Sequence, residues 1–428
     1  MMRPRGRLFF LLLLSFGPAA LGAQEARPAS PRDPGESLTV SLITIGQGPL
    51  VWERFGHNAI LIQDEDTGWE RAYHWGVFSF QQVDFIPRLI RGTMLYGMGA
   101  SDLETMLREY QLAGRPVWIQ ELALTPSQKW ELLASVEENY RPENREYRYD
   151  YYQDNCSTRA RDALDGALGG LLGAQFSADT TDSTFRWHTR RILRELPAYY
   201  LGIQFVLGPR GDHPITVWEE MFLPPTLMER IREVRVPDGV GGLQPLVRSE
   251  RVLLDPGSAA PPTGPPFVFP VFLAMGILFA GSLLWLVGPG TDLSLGRRLG
   301  VATMAGGWGF VAAVGGSLLL GAWIFTDHVF WYANFNLFQV NPLHFPLPVA
   351  FLLFLVKNRF PHWGMVLAVG LGAASLLGVA LEILPGIGQK NLEFLAFSVP
   401  VNGALWMAAI RLHRGGRDLS LKTSDGVG

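Results

Sequence analysis

Tyr149-Asp150-Tyr151-Tyr152-Gln153-Asp154-Asn155-Cys156-Ser157-Thr158-Arg159-Ala160-Arg161-Asp162-Ala163-Leu164 holds the single cysteine of a 428-residue chain. After Cys156 the spacing is helical. Ser157 and Thr158 suit a first turn, and Ala160, Ala163, Leu164, Ala167 and Leu168 recur three and four residues apart. Before Cys156, Tyr and Asp punctuate a loop. A thiol at a helix start faces unsatisfied backbone N–H groups and the positive end of the macrodipole, and both favour thiolate over thiol. A lone cysteine can equally be a small buried hydrophobe. The polar flanks Asp154, Asn155, Ser157 and Thr158 favour the nucleophile.

Working outward, the chain divides into unlike parts. Residues 1–24 read as a secretory signal peptide: Arg3, Arg5 and Arg7, then the apolar run Leu8 to Phe16, then Leu21-Gly22-Ala23 before Gln24. That run is short for a membrane anchor. Residues 25–37 form a flexible leader, 38–257 an exported domain, and 258–266 a linker rich in Pro, Gly and Ala. Residues 267–412 carry five apolar runs, near Phe267–Val287, Val301–Phe325, Phe345–Val356, Met365–Leu384 and Val401–Ile410, the third and fifth short for a span. Residues 413–428 make a cytoplasmic tail. Overall composition (48% hydrophobic, net charge −3) averages over these halves and conceals them.

Basic residues alternate between the loops. Arg297 and Arg298 follow the first run, Lys357 and Arg359 the third, and Arg411, Arg414, Arg417 and Lys422 the fifth. The alternate loops, 327–344 and 385–393, carry only Lys390 as a Lys or Arg. The positive-inside rule puts the basic loops in the cytoplasm and, with an odd number of spans, the preceding domain outside. That agrees with a signal peptide. An exported domain with one cysteine has no internal disulfide, so Cys156 is not a staple.

Within the exported domain, Leu38 to Ile45 reads as a strand ending at Gly46, and Gly56 to Gln63 as a second strand with His57 near its start. Arg71 to Phe80 returns as a third, after the turn Asp64 to Gly68, so His57 and His74 fall on adjacent strands of a hairpin. A helix over Asp84 to Ile90 and a strand near Thr93–Met98 follow. Ser101 to Glu104 has capping-box spacing for a helix to Leu112, Arg115 to Leu124 alternates as a strand, and Thr125-Pro126 opens a helix to Tyr140. Beyond Gly173 the sequence is mostly helical. The fold class is therefore α+β, followed by an all-α transmembrane bundle of about five helices.

A cysteine becomes catalytic when a base lies within reach and a third group orients that base. The exported domain offers His57, His74, His188 and His213. His57 is the candidate base: it opens an apolar strand, follows Gly56, and stands in a sheet that the Cys156 helix should cover. His74 is the candidate orienter, although packing beside Trp75 would also account for it. A tetrahedral oxyanion needs donors: the Cys156 backbone N–H, with Asn155 and Tyr152 as weaker candidates. The sequence shows no metal-ligand cluster.

Phe55-Gly56-His57-Asn58-Ala59, Tyr73-His74-Trp75-Gly76-Val77-Phe78 and Asn155-Cys156-Ser157-Thr158-Arg159 together resemble the bacterial lipoprotein N-acyltransferase (Lnb) family, once classed as a domain of unknown function. The resemblance covers Leu38 to Phe222 and extends to the multi-span region that follows. It implies a circularly permuted papain-like (NlpC/P60-like) fold, with Cys156 as nucleophile, His57 as base, His74 as a looser third residue, and no metal or cofactor. It also implies a multi-pass protein of the bacterial cytoplasmic (inner) membrane with a periplasmic catalytic domain. The activity implied is transfer of a fatty acyl chain from a phospholipid, through a Cys156 thioester, to the N-terminal amine of a diacylglyceryl lipoprotein. Membrane lipids and lipoproteins are then the partners, and nucleic acid is not. A papain-like hydrolase cutting peptidoglycan peptides or lipid esters is the alternative, because the same dyad serves water. A non-catalytic membrane-anchored binding protein is the third. The aromatic loop Asp327 to Asn336 reads as an interfacial belt, with a lipid-headgroup or acceptor contact as the other reading.

Overall fold

The computed structural model describes residues 33–257, 261–289, 293–384 and 386–424, with side chains of the last helix described to 416. The signal peptide, most of the leader and residues 258–260 of the linker lie outside these.

The strand β1 (Leu38–Ile45) is an interior strand of a seven-stranded sheet ordered β6-β4-β3-β2-β1-β5-β9, in which β4 is Leu95–Ser101, β6 Glu146–Arg148 and β9 Val247–Leu254. Its neighbours are β2 (His57–Asp64) and β5 (Val117–Leu122), and β3 (Glu70–Val77) pairs with β2, all antiparallel. Strand alternation sends Val40, Leu42, Ile60, Ile62, Tyr73 and Trp75 to one face, where they pack with helix residues Leu132, Val136, Ala160 and Leu164. Ile43, Ile45, Ala59, Leu61 and Ala72 face the other way, against Met106. Both faces are covered, which is why β1 and β2 are buried along almost their whole length.

The expected hairpin of β2 and β3 is present, with Ala59 opposite His74. Helix α1 (Phe85–Arg91) leads to β4 (Leu95–Ser101), and α2 (Leu103–Leu112) follows. The cap of α2 differs from the expected box: Ser101 ends β4, and the Asp102 carboxylate accepts from the Thr105 N–H. Thr125 caps α3 (Pro126–Tyr140) as expected, in a reciprocal box with Gln128. Two strands of the seven-stranded sheet were not legible. The strand β6 (Glu146–Arg148) is three residues inside the Tyr-rich loop, too short for alternation to register. The other, β9 (Val247–Leu254), carries Arg248, Glu250 and Arg251, as suits a charged sheet edge.

Helix α4 (Cys156–Ala167) packs over the sheet, followed by α5 (Leu171–Phe176), α6 (Phe185–Ile192), α7 (Pro197–Val206), α8 (Val217–Glu220) and α9 (Pro224–Ile231). A small ribbon of β7 (Arg235–Pro237) and β8 (Leu243–Pro245) precedes β9. The mostly helical reading beyond Gly173 holds to α9.

Among the described residues four helices have the length and apolarity to cross a membrane: Phe269–Val287, Leu295–Phe325, His362–Glu382 and Leu392–Gly416. The second begins before the expected Val301 and passes through a π-helical stretch at Ala302–Gly306. The last extends well beyond the expected Val401–Ile410, because Pro400 does not end the helix. The third expected run is the 12-residue helix Pro346–Lys357, which at 1.5 Å per residue is too short to cross alone. Short 3₁₀ turns over Val329–His344 precede it at a 44° bend. At its far end Leu355 O accepts from Arg298 Nη1 at 3.0 Å, and at its near end Asp327 bonds the sheet domain. These contacts tie the two ends of the bent pair to opposite ends of the bundle, and counted as one span it would bring the total to five.

The segment α6 to Asp212 ties the sheet domain to that bundle. Arg186 is 1% exposed and donates to Asp212 Oδ1 (2.7 Å), Gln204 Oε1 (2.8 Å), Leu207 O (2.6 Å) and Gly208 O (3.1 Å). Asp212 Oδ2 in turn accepts from the Lys390 N–H. Asn334 and Asn336 amides donate to Phe205 O, and Glu393 bonds Arg190 and Tyr200. The belt reading of the aromatic loop is corrected for Phe330. That ring is 1% exposed and packs edge-on against Tyr152 and Phe185. Gly208 permits this approach, since a Cβ there would lie 2.3 Å from Tyr332 O.

Removing Arg186 would strand the buried Asp212 carboxylate and three acceptors. Arg186→Ala is expected to lower stability by about 3–5 kcal/mol, read as a lower thermal midpoint of the full chain in detergent. Reporter fusions after Arg298, Lys357 and Arg414 should all report the cytoplasmic side, and one after Lys390 the opposite side.

Candidate active site

The nucleophile candidate sits where α4 begins. Asn155 is its N-cap: Asn155 Oδ1 accepts from Ser157 N (2.8 Å) and Thr158 N (3.0 Å). Its amide nitrogen donates to Tyr151 O (3.1 Å) and Phe222 O (3.0 Å), so both sides of the amide are engaged. Asn155 holds the cysteine turn and has no donor left for an oxyanion. Tyr152 is corrected too. Its hydroxyl bonds Thr189 Oγ1 at 2.6 Å inside the aromatic cluster with Phe185, Phe222 and Phe330. Both candidates therefore position the loop and do not face the thiol.

The two strand histidines meet directly: His57 Nε2 and His74 Nδ1 are 3.2 Å apart. Continuing the β2–β3 register by two residues brings His57 opposite Gly76. Gly76 lies at a bulge with φ +99°, a conformation that favours glycine. A Cβ there would stand 3.7 Å from Cys156 Cβ and 3.9 Å from His57 Cε1. Cysteine and imidazole thus flank one small space that a glycine leaves open. Since His57 Nε2 is turned to His74, Nδ1 is the nitrogen left for the thiol. A base acting through Nδ1 needs the tautomer in which Nε2–H donates to His74, which then accepts through Nδ1. His74 thus stands where an orienting partner of His57 would stand.

The electrostatics differ from the expected thiolate. Burial pushes the Cys156 thiol up to about 11, although the backbone N–H groups of Asn58, Ser157 and Cys156 and the Arg115 guanidinium oppose the rise. Burial, then the charges of His74 and Arg115, holds His57 well below its ordinary value, and burial brings His74 down to about 4. Each ring keeps a partly accessible edge, but protein fills most of its surroundings. At neutral pH the resting pair is thiol and imidazole, because desolvation of a charged pair outweighs the helix start.

Sequence reasoning missed two contributors. Arg115 is buried, donates twice to Gly46 O (3.0 and 2.8 Å), and is the cation nearest in effect to both Cys156 and His57. Its place at the start of β5 gave no signal beyond a charge before an apolar strand. Asn58 adds a backbone N–H at the sulfur, which no sequence pattern encodes. His188 is elsewhere, paired with Glu220 at 3.1 Å. Among the described residues no group of three or more His, Cys, Asp or Glu side chains is arranged to hold a metal.

A cysteine at a helix start beside paired imidazoles, on an α+β domain fused to apolar helices of membrane length, defines a membrane-anchored Cys-His domain. Residues 32–194 match the family described as the Lnb N-terminal periplasmic domain, and this segment resembles that domain. The match takes in His57, His74, Arg115, Cys156 and Arg186 and stops before Gln204 and Asp212. No curated protein and no solved structure matches the chain.

With the thiol near 11, the thiolate fraction grows in proportion to hydroxide. Alkylation of Cys156 by iodoacetamide should rise about tenfold per pH unit between pH 7 and 9. A rate that is flat across this range would mean a resting thiolate–imidazolium pair. Gly76→Val puts methyl groups into the shared space, strains the φ, and should cut any Cys156-dependent turnover by about a hundredfold. Circular dichroism of that variant should be unchanged.

Proposed function

We propose that this chain is a cysteine acyltransferase of the bacterial inner membrane, with its sheet domain on the periplasmic side. It moves a fatty acyl chain from a phospholipid to the N-terminal amine of a diacylglyceryl lipoprotein. The observation that carries the reading is the meeting of Cys156 and His57 around Gly76, in a domain stitched to membrane-length helices. The match of residues 32–194 to the Lnb periplasmic domain supports it.

In the first half-reaction His57 Nδ1 takes the thiol proton as Sγ attacks the ester carbonyl. The ester C–O bond breaks, the lysophospholipid alkoxide takes the proton from His57, and the acyl group remains on Cys156 as a thioester. In the second, the acceptor α-amine attacks the thioester and passes a proton to His57. The C–S bond breaks, the amide leaves, and the sulfur is reprotonated. The backbone N–H groups of Cys156 and Asn58, which act on the sulfur, are the candidate donors for the tetrahedral oxyanion, since Ser157 N–H is taken by Asn155 Oδ1. A neutral resting pair suits this sequence, because a lipid ester enters without displacing a buried ion pair, and charge appears only as the proton moves.

Purified full-length protein incubated with phospholipid should gain one acyl mass on the peptide containing Asn155-Cys156-Ser157. Neutral hydroxylamine should release it, and Cys156→Ala should never form it. His57→Ala should form it at least a hundredfold more slowly. Added diacylated lipopeptide with a free α-amine should discharge the adduct and become triacylated. Discharge by water alone would move the assignment to a hydrolase, and cleavage of peptidoglycan peptides without any lipid adduct would overturn the acyl chemistry.

A further inference from the structure

The stretch from Phe78 to Arg91 has apolar surface that the fold does not use. No residue of α1 is buried, and Phe80 (68%), Val83 (80%), Ile86 (59%) and Ile90 (62%) are exposed. Ile86 and Ile90 are one helical turn apart and share a face. A seven-residue helix with no buried side chain has little to hold it to the sheet domain. An exposed apolar face of this extent marks a contact surface.

Two observations identify what it contacts. The carboxyl end of α1 is bonded to the membrane bundle: Asp327 N donates to Arg91 O at 2.7 Å, and His328 Nε2 meets Leu89 O at 3.2 Å. Asp327 lies two residues beyond Phe325, where the second span ends. The exposed face therefore stands level with the end of a span, at the height of the lipid headgroups, with Arg91 exposed beside it. Second, aromatic rings continue inward from this face. Phe85 and Phe80 are 5.3 Å apart, Phe80 and Phe78 5.0 Å, Phe78 and Tyr96 5.3 Å, and Tyr96 stacks on Tyr149 at 4.1 Å. Tyr149 and Cys156 are both partly buried and pack against the same core cluster, so the file of rings ends beside the site.

We infer that Phe78–Arg91 lies in the outer-leaflet interface as a shallow apolar wedge, and that its aromatic file guides an acyl chain from the bilayer to Cys156. The occupant of the exposed face is lipid. Isoleucines facing the acyl boundary with an arginine at the headgroups is the pattern of an interfacial helix. The rings offer a smooth, low-entropy apolar track, and a chain bound along it would shield the thiol from water. The membrane contact stands independently of the reaction proposed above, and only the nature of the guided chain rests on that reading.

The test uses the full chain in phosphatidylethanolamine/phosphatidylglycerol vesicles, in a Cys156→Ser background. Ile86→Cys, Ile90→Cys and Val240→Cys each carry a nitrobenzoxadiazole label. Val240 is 90% exposed on the β7–β8 turn and serves as the aqueous reference. Labels at 86 and 90 should be blue-shifted, quenched at least threefold more by shallow spin-labelled lipid than at 240, and protected from iodide. Iodide quenching equal to that at 240 overturns the inference. So does protection that appears only on raising protein density without lipid, because the cover is then a second copy.

With Cys156 intact, the double variant Ile86→Asp/Ile90→Asp should lower acylation from vesicle phospholipid at least tenfold. The reaction with a soluble short-chain p-nitrophenyl ester should stay unchanged. Leu112→Asp, an exposed apolar position on α2, should alter neither. Equal loss on both substrates overturns the entry path. Absence of acylation from any lipid in the parent protein refutes the proposed reaction, while the quenching result still decides membrane contact.

Discussion

The buried guanidinium of Arg186 is the constraint on which the assembly depends. Its positive charge, fully withdrawn from water, is tolerated only because Asp212, the Gln204 side chain and two chain carbonyls converge on it. That convergence fixes the path from α6 through Asp212. The same path offers Phe205, Val206, Gly208 and Asp212 to the loops at the end of the membrane bundle. One desolvated charge thus organises the joint between a sheet domain and a set of apolar helices. The aromatic cluster built on this joint, with Phe330 from the bundle and Tyr152 from the cysteine loop, rigidifies the approach to Cys156 from below.

At the other end of that loop, the site is arranged by small features rather than strong ones. Asn155 spends its whole amide on holding the helix start, and Gly76 contributes by lacking a side chain. His74 contributes by accepting a proton's worth of orientation from His57. None of these residues performs chemistry alone, yet together they set a thiol and an imidazole against one space. Burial disfavours the charged form of each. In the acyl transfer proposed above this is physically economical, since an ion pair held in a dry pocket would carry a desolvation penalty with every apolar ligand.

Much of the architecture was legible because local rules and tertiary demands agreed. The runs at Leu38–Ile45 and His57–Asp64 carry β-branched and apolar residues at their centres, and both faces of their sheet are covered, so the strands appeared where the composition put them. Thr125 with Gln128 capped a helix by short-range hydrogen bonds that any context would allow. Where local rules misled, a competing interaction intervened. Asp102 displaced Ser101 as a cap because Ser101 was claimed by β4. The charged run of β9 became a strand because a sheet edge tolerates charges, and a run of aromatics that would suit a membrane interface was partly drawn into a buried cluster.

The sequence by itself determined that an isolated cysteine opens a helix, that two histidines sit on paired strands, and that membrane-length apolar segments follow. Periodicity, capping chemistry and hydropathy are properties of neighbours along the chain. Tertiary structure alone decided which groups share the cysteine's surroundings and in what protonation state. Arg115, the Asn58 N–H and the glycine gap at position 76 reach Cys156 from distant parts of the chain. Their influence acts through burial and distance, which exist only once the sheet, α4 and the bundle have packed together.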